Sequence, residues 1–179
     1  MNFVIATLLL LLLPPAQPIA VLDPRLEGTW IFVKEQSTDL ATWRYRVPQL
    51  SISRAGDQVT ILHQWLEGNQ VAHTDSFAIH PGGKPIDIPV QSGRWTGNWY
   101  MGVLAKKGTH KTVRGKWLEQ DSALRMVSTQ TVLISQGEAT LTTTWEYRLD
   151  QTGVVLTVTE QRSSRPAPVV LVFRRTNTK

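Results

Sequence analysis

From residue 28 onward, apolar and polar side chains alternate with a period of two through most of the chain. That period places successive side chains on opposite faces of a β-strand and marks strands with one buried face. Runs of this kind cover about 28–34, 48–54, 58–66, 70–79, 94–104, 111–119, 123–135, 138–149, 153–162 and 168–175. Turn-forming residues separate them, at Arg54-Ala-Gly-Asp57, Glu67-Gly-Asn69, Pro81-Gly-Gly83, Lys107-Gly108, Gln136-Gly137, Asp150-Gln-Thr-Gly153 and Arg165-Pro166. No stretch sustains helical periodicity, and 37–46 holds a short helix or a loop at most. Regular short strands with tight turns predict an all-β domain, an antiparallel up-and-down barrel of eight to ten strands over residues 26–175. Closure removes exposed sheet edges.

The alternation also assigns faces. Ala139, Leu141, Thr143, Trp145, Tyr147 and Leu149 share one side of their strand, and Val154, Leu156, Val158 and then Glu160 share one side of the next. A four-residue loop at 150–153 would set Leu149 opposite Val154, Tyr147 opposite Leu156 and Trp145 opposite Val158. A loop at 54–57 would likewise set Ile52 opposite Val59 and Leu50 opposite Ile61.

The first 20 residues differ in kind. Phe3–Leu13 is uncharged and apolar, prolines break it at 14, 15 and 18, and small residues follow at Ala16 and Ala20. This fits the core of a secretory signal peptide, residues 1–20, cleaved after Ala16 or Ala20, with an uncleaved anchor as the alternative, and is short for a membrane-spanning helix of roughly 20 residues. The expected mature protein is secreted or periplasmic, and a bacterial one, since the chain has 0 cysteines and small exported eukaryotic domains are commonly stapled by disulfides. The missing cysteines also exclude thiolate metal sites and cysteine nucleophiles.

Net charge is +5. The basic residues are spread over many strands, among them Arg44, Lys84, Arg114, Arg148 and Arg174. That excludes a nucleic-acid block and allows at most weak contact with an anionic envelope surface.

Leu26-Glu-Gly-Thr-Trp30 on the first strand, Ser37, Gly56-Asp-Gln-Val-Thr60, His80-Pro-Gly-Gly-Lys84, Ser135-Gln-Gly-Glu-Ala-Thr-Leu141 and Val172-Phe-Arg-Arg175 together resemble the bacterial exported lipocalin-like proteins, within the wider calycin group of ligand-binding barrels. The resemblance spans 26–175. It implies that Gly28 and Trp30 open the barrel, with the Trp30 ring near a closed end and a basic side chain, Arg174 or Arg175, across it. It implies a possible apolar cavity and no particular ligand. The family's Thr-Asp-Tyr motif has no counterpart here.

Candidate chemistry lies in one hairpin. Val59, Ile61, His63 and Trp65 share a face of one strand; Val71, His73, Asp75, Phe77 and Ile79 share a face of the next. One register sets His63 opposite Asp75 and Trp65 opposite His73; another sets His63 opposite His73. Either gathers two imidazoles and a carboxylate on the apolar side. Such a patch can orient a ligand, form an incomplete metal site, or be a hydrogen-bonded His–Asp pair with no ligand role. Trp145 and Tyr147 join Trp65 as candidate cavity walls, though aromatic rings also simply fill cores. Glu160 is a further inward carboxylate, with Arg162 a ready partner. His80 and His110 fall in turns.

Gly-x-Ser-x-Gly, a P-loop and His-Glu-x-x-His are all missing, and no cofactor or catalytic residue is assigned. The leading function is an exported barrel that binds or carries a small, mostly apolar molecule through His63, Trp65, His73, Asp75, Trp145 and Tyr147. The alternatives are an envelope-associated structural protein with a packed barrel and, last, an enzyme acting inside it.

Overall fold

The computed structural model describes residues 23–39, 47–93, 103–118 and 123–176. After a 3-10 turn at Pro24–Leu26 come β1 (Gly28–Phe32), a second 3-10 turn (Lys34–Gln36), β2 (Val47–Ala55), β3 (Gln58–Glu67), β4 (Gln70–Ile79), β5 (Ile86–Pro89) and β6 (Leu104–Ala105). Then follow β7 (His110–Leu118), β8 (Ala123–Ile134), β9 (Gly137–Leu149), β10 (Val155–Arg162) and β11 (Val169–Arg175). They form one antiparallel sheet in the order β4-β3-β2-β1-β11-β10-β9-β8-β7-β5, with the two-residue β6 beside β8. The expected up-and-down meander is present, as ten strands curled into a nearly closed barrel. The expected strand 94–104 is described only at its end, in β6; Trp95, Trp99 and the rest of 94–102 lie outside the described residues, as do 1–22 and most of 37–46. The first strand is shorter than expected, and β5 was not anticipated.

Alternation sets the interior as expected, but two hairpins differ from the expected register by two residues. Trp145 lies opposite Glu160, and Tyr147, not Trp145, lies opposite Val158. The cause is the side chain of Asp150, whose Oδ1 accepts from the backbone N–H groups of Val154 and Val155, each at 3.0 Å. This holds Val154 in the loop, exposed, and lengthens the turn. In the other hairpin Ile52 faces Ile61 and Leu50 faces His63. There the turn is only Gly56-Asp57, with Gly56 at φ +63°, so the strands pair two residues further than a four-residue loop allows. A slip of two keeps every side chain on its face.

The sheet's edge strands, β4 and β5, do not pair with each other. Three other contacts join β4 and its following turn to β7. The Gly82 N–H donates to the Gly115 carbonyl at 2.8 Å. Ile79 packs against Gly115 so closely that a Cβ there would lie 2.4 Å from the Ile79 Cδ1. Inside, Lys111 forms an ion pair with Asp75.

One barrel end is plugged by Trp30, whose side chain is 0% exposed. Its Nε1 donates to the Leu26 carbonyl at 3.1 Å. Arg175, not the exposed Arg174, lies across the ring, its Cζ 4.6 Å from the centroid, and donates from Nη1 to the Glu27 carbonyl at 2.7 Å. Gly28 makes this possible. It sits at φ +136°, and a Cβ there would lie 3.0 Å from the arginine Nη1; only glycine suits both demands. Leu26, Ile52, Val59, Ile79, Leu124, Tyr147 and Leu156 complete this apolar end. Trp30→Ala should cost roughly 3–5 kcal/mol in urea unfolding, the range for deleting a buried large aromatic; a loss under about 1 kcal/mol would show that the ring is not the plug.

Candidate functional site

The barrel interior changes character along its axis. Towards the end opposite Trp30, inward positions of β7 to β10 are taken by Lys111, Ser128, Gln130, Thr143, Glu160 and Arg162, all buried. Each sits on the alternation that elsewhere carries Val, Leu or Trp, so the strand pattern itself drives these polar groups inside. Burial of polar groups is tolerated only with partners, and the partners define the site.

The β3–β4 hairpin adopts the register that sets His63 opposite Asp75 and Trp65 opposite His73. These residues share the inner face and are partly buried. His63 and Asp75 have their hydrogen-bond and ion-pair partners on other strands. His63 Nε2 lies 2.8 Å from the Tyr147 hydroxyl. Its ring is enclosed by Phe77, Trp145 and Tyr147, with centroids at 5.7, 5.9 and 5.9 Å. Asp75 instead pairs with Lys111, whose Nζ also stands 4.1 Å above the centre of the Phe77 ring. Carboxylate and ring together compensate an ammonium that is only 7% exposed. Lys111 was missed in the sequence because a lysine among Thr112, Arg114 and Lys116 reads as solvated. Its shared period with Val113 and Trp117 was the available signal.

Trp145 Nε1 donates to Glu160 Oε2 at 3.0 Å, and Glu160 also forms an ion pair with Arg162. Burial pulls the Arg162 guanidinium below its ordinary value, with the Glu160 charge opposing that shift. Burial, then the charges of Glu160 and Asp75, push the Tyr147 phenol well above its usual range, so it remains a neutral hydroxyl. Burial and then the charge of Lys111 pull His63 down to about 3. Among the described residues, no group of three His, Asp or Glu side chains is placed to hold a metal.

Two spaces adjoin this wall. A cleft lined by Leu50, His63, Trp65, Trp145, Glu160 and Phe173 among others is narrow, with a free volume of about 20 Å³, room for little more than a water. Tyr147 does not line it. A larger cavity of about 440 Å³ lies at the seam between the sheet edges. His73, Asp75, Lys111 and Gln130 supply polar groups there, against Ile88, Val90 and Ala105. The Asp75–Lys111 pair lines the larger space, and Phe77 touches both Lys111 and the His63 and Trp145 rings of the cleft. The residues expected to act together are thus divided: His63, Trp65 and Trp145 face the cleft, while His73 and Asp75 face the seam.

Ten antiparallel strands in meander order, plugged at one end and holding polar groups within, form a nearly closed up-and-down β-barrel. Solved structures agree on the fold. A Schistosoma mansoni fatty acid binding protein in complex with arachidonic acid superposes with a TM-score of 0.52 at 14% identity, over 86% of this chain and 98% of that one. The REP1-NXSQ fatty acid transporter gives 0.52 at 11% identity, over 86% and 98% of the two chains. Human cRBP IV gives 0.51 at 16% identity, over 84% and 98%. No family model and no curated protein matches the sequence.

Because its pKa in the folded state lies near 3 against an ordinary 6.5, His63 binds fewer protons folded than unfolded between these values. Its contribution to stability is fully present above pH 6.5 and is lost as pH falls towards 3. His63→Phe should therefore lose less stability than the parent chain between pH 7.5 and 4.5, measured as urea midpoints. An imidazole NMR signal of His63 titrating near 6.5 would contradict this.

Proposed function

We propose that this protein is an exported binding barrel that holds a small, mostly apolar molecule, entering at the seam between β4 and β5. The observation that carries this reading is the 440 Å³ cavity with an ion pair on its wall and aliphatic side chains around it. Ligand pockets combine an apolar lining with a few polar groups that fix orientation. In this reading Lys111, Asp75, His73 and Gln130 meet the polar end of the molecule. Ile88, Val90 and Ala105 meet its apolar part, and Trp65 and Trp145 wall the cleft beyond Phe77. The likeness to barrels described as fatty acid binding or transport proteins supports a carrier rather than an enzyme. Export rests on the apolar leader, and the cysteine-free composition favours a bacterial source.

A second reading is a packed structural barrel without a ligand. The narrow 20 Å³ cleft favours it, because the core beside His63 is already filled by Phe77, Trp145 and Tyr147.

Titration of the mature chain with a fluorescent apolar probe separates the two. A carrier shows saturable, equimolar binding that falls at least tenfold in the paired variant Asp75→Leu with Lys111→Met, which removes both charges and strands neither. Absence of saturable binding in a folded parent chain establishes the packed barrel instead. The intact mass of the protein recovered from its own host reports export directly: a mass lacking residues 1–16 or 1–20 is expected, and the full-length mass rejects cleavage.

A further inference from the structure

The basic residues that look dispersed along the sequence are gathered by the sheet. On the outer face of β7, β8 and β9, Lys116, Arg125 and Glu146 form one cross-strand row, and Arg114, Val127 and Thr144 form the next. Arg148 stands beside them on β9. Among the described residues of these two rows, Glu146 is the carboxylate, and it pairs with two of the four cations. Glu146 accepts from Arg125 Nη2 at 2.8 Å and from Arg148 Nη2 at 2.7 Å. Those bonds, Arg125 first, hold its carboxyl below the usual range.

The arrangement is electrostatically incomplete. Lys116 lies directly opposite Arg125, and like charges in that relation oppose strand pairing. Among the described residues, neither Arg114 nor Lys116 has a side-chain partner. The Arg125 Nε is shielded from solvent and has no hydrogen-bond acceptor. These groups surround a groove of about 360 Å³, lined by Arg114, Gly115, Lys116, Arg125, Val127 and Thr144. Gly115 contributes only backbone to its floor, its side-chain direction being inward against Ile79.

We propose that this groove binds a phosphate-monoester group, apart from the barrel interior. Guanidinium groups present forked N–H donors that match the oxygens of such an anion. A doubly charged oxyanion would give Arg114 and Lys116 the partner they lack, separate Lys116 from Arg125 by a shared counter-charge, and accept from the Thr144 hydroxyl. A carboxylate brings one charge to three cations and leaves the imbalance standing. The monoester can come from a soluble phosphorylated metabolite or from the headgroup of an anionic lipid, and the chemistry recognised is the same.

The test follows the backbone amide signals of residues 114–116 and 125–127 by NMR at constant ionic strength during titration with glycerol phosphate, with chloride as the control. In parallel, the protein is sedimented with phosphatidylcholine vesicles, with and without phosphatidic acid. A saturable shift with glycerol phosphate assigns a soluble ester. Sedimentation dependent on phosphatidic acid, without that shift, assigns a lipid headgroup. In either case the paired variant Arg114→Gln with Lys116→Gln, both exposed outer-face residues, should weaken binding at least tenfold while circular dichroism stays unchanged. No response to either phosphate source, an equal response to chloride, or binding undiminished in that variant overturns the proposal.

Discussion

The whole molecule depends on how the two edges of one long sheet meet. A twisted sheet of ten strands returns upon itself, yet β4 and β5 do not complete a ladder. The gap is spanned by three contacts of different kinds: a backbone hydrogen bond at Gly115, a tight apolar contact between Ile79 and the same glycine, and the ion pair of Asp75 with Lys111. The first two sit towards the Trp30 end, where the interior is apolar and filled. The third lies deeper along the seam, where the edges separate and the cavity begins. A charged contact is costly inside a protein unless well compensated. Here compensation comes from the carboxylate and from the face of Phe77.

That one feature organises the interior chemistry. Lys111 places a positive charge against the His63–Phe77–Trp145 cluster and helps keep His63 neutral. A second buried pair, Glu160 with Arg162, stands across the cleft and takes the Trp145 indole N–H. The barrel is therefore a sealed apolar half joined to a half rich in compensated charges. The outer wall inverts the pattern, since the strands that carry Lys111 and Gln130 inward carry Arg114, Lys116 and Arg125 outward. Alternation alone separates Lys111, ion-paired in the interior, from Arg114 and Lys116, which have no side-chain partner among the described residues, at the surface.

Much of this was legible in the sequence because a period of two survives local error. The strand 138–149 needs no structure to show that Trp145 and Tyr147 point inward. The two register slips moved partners without moving faces, so Trp65, His63 and Asp75 stayed inside. The Trp30 plug was readable from Gly28-Thr29-Trp30, although choosing Arg175 over Arg174 required the strand's phase at its last residue. What could not be read has physical causes. The strand Ile86–Pro89 is short and flanked by glycine, proline and lysine, and is held only by pairing with β7. The partners of His63 and Asp75 come from β9 and β7 across the barrel, at sequence separations of 84 and 36 residues. Periodicity within a hairpin carries no such information, and for the same reason the basic face was invisible until the strands were aligned.

In a carrier, the seam cavity beside Asp75 and Lys111 is occupied when the protein leaves its host. Native mass spectrometry of the protein purified from its own host, without denaturation, tests it most directly. The expected result is a bound small molecule at one per chain, released at higher collision energy and lost from the Asp75→Leu, Lys111→Met variant. A folded host-purified protein carrying no added mass in either form would contradict it and leave a packed barrel.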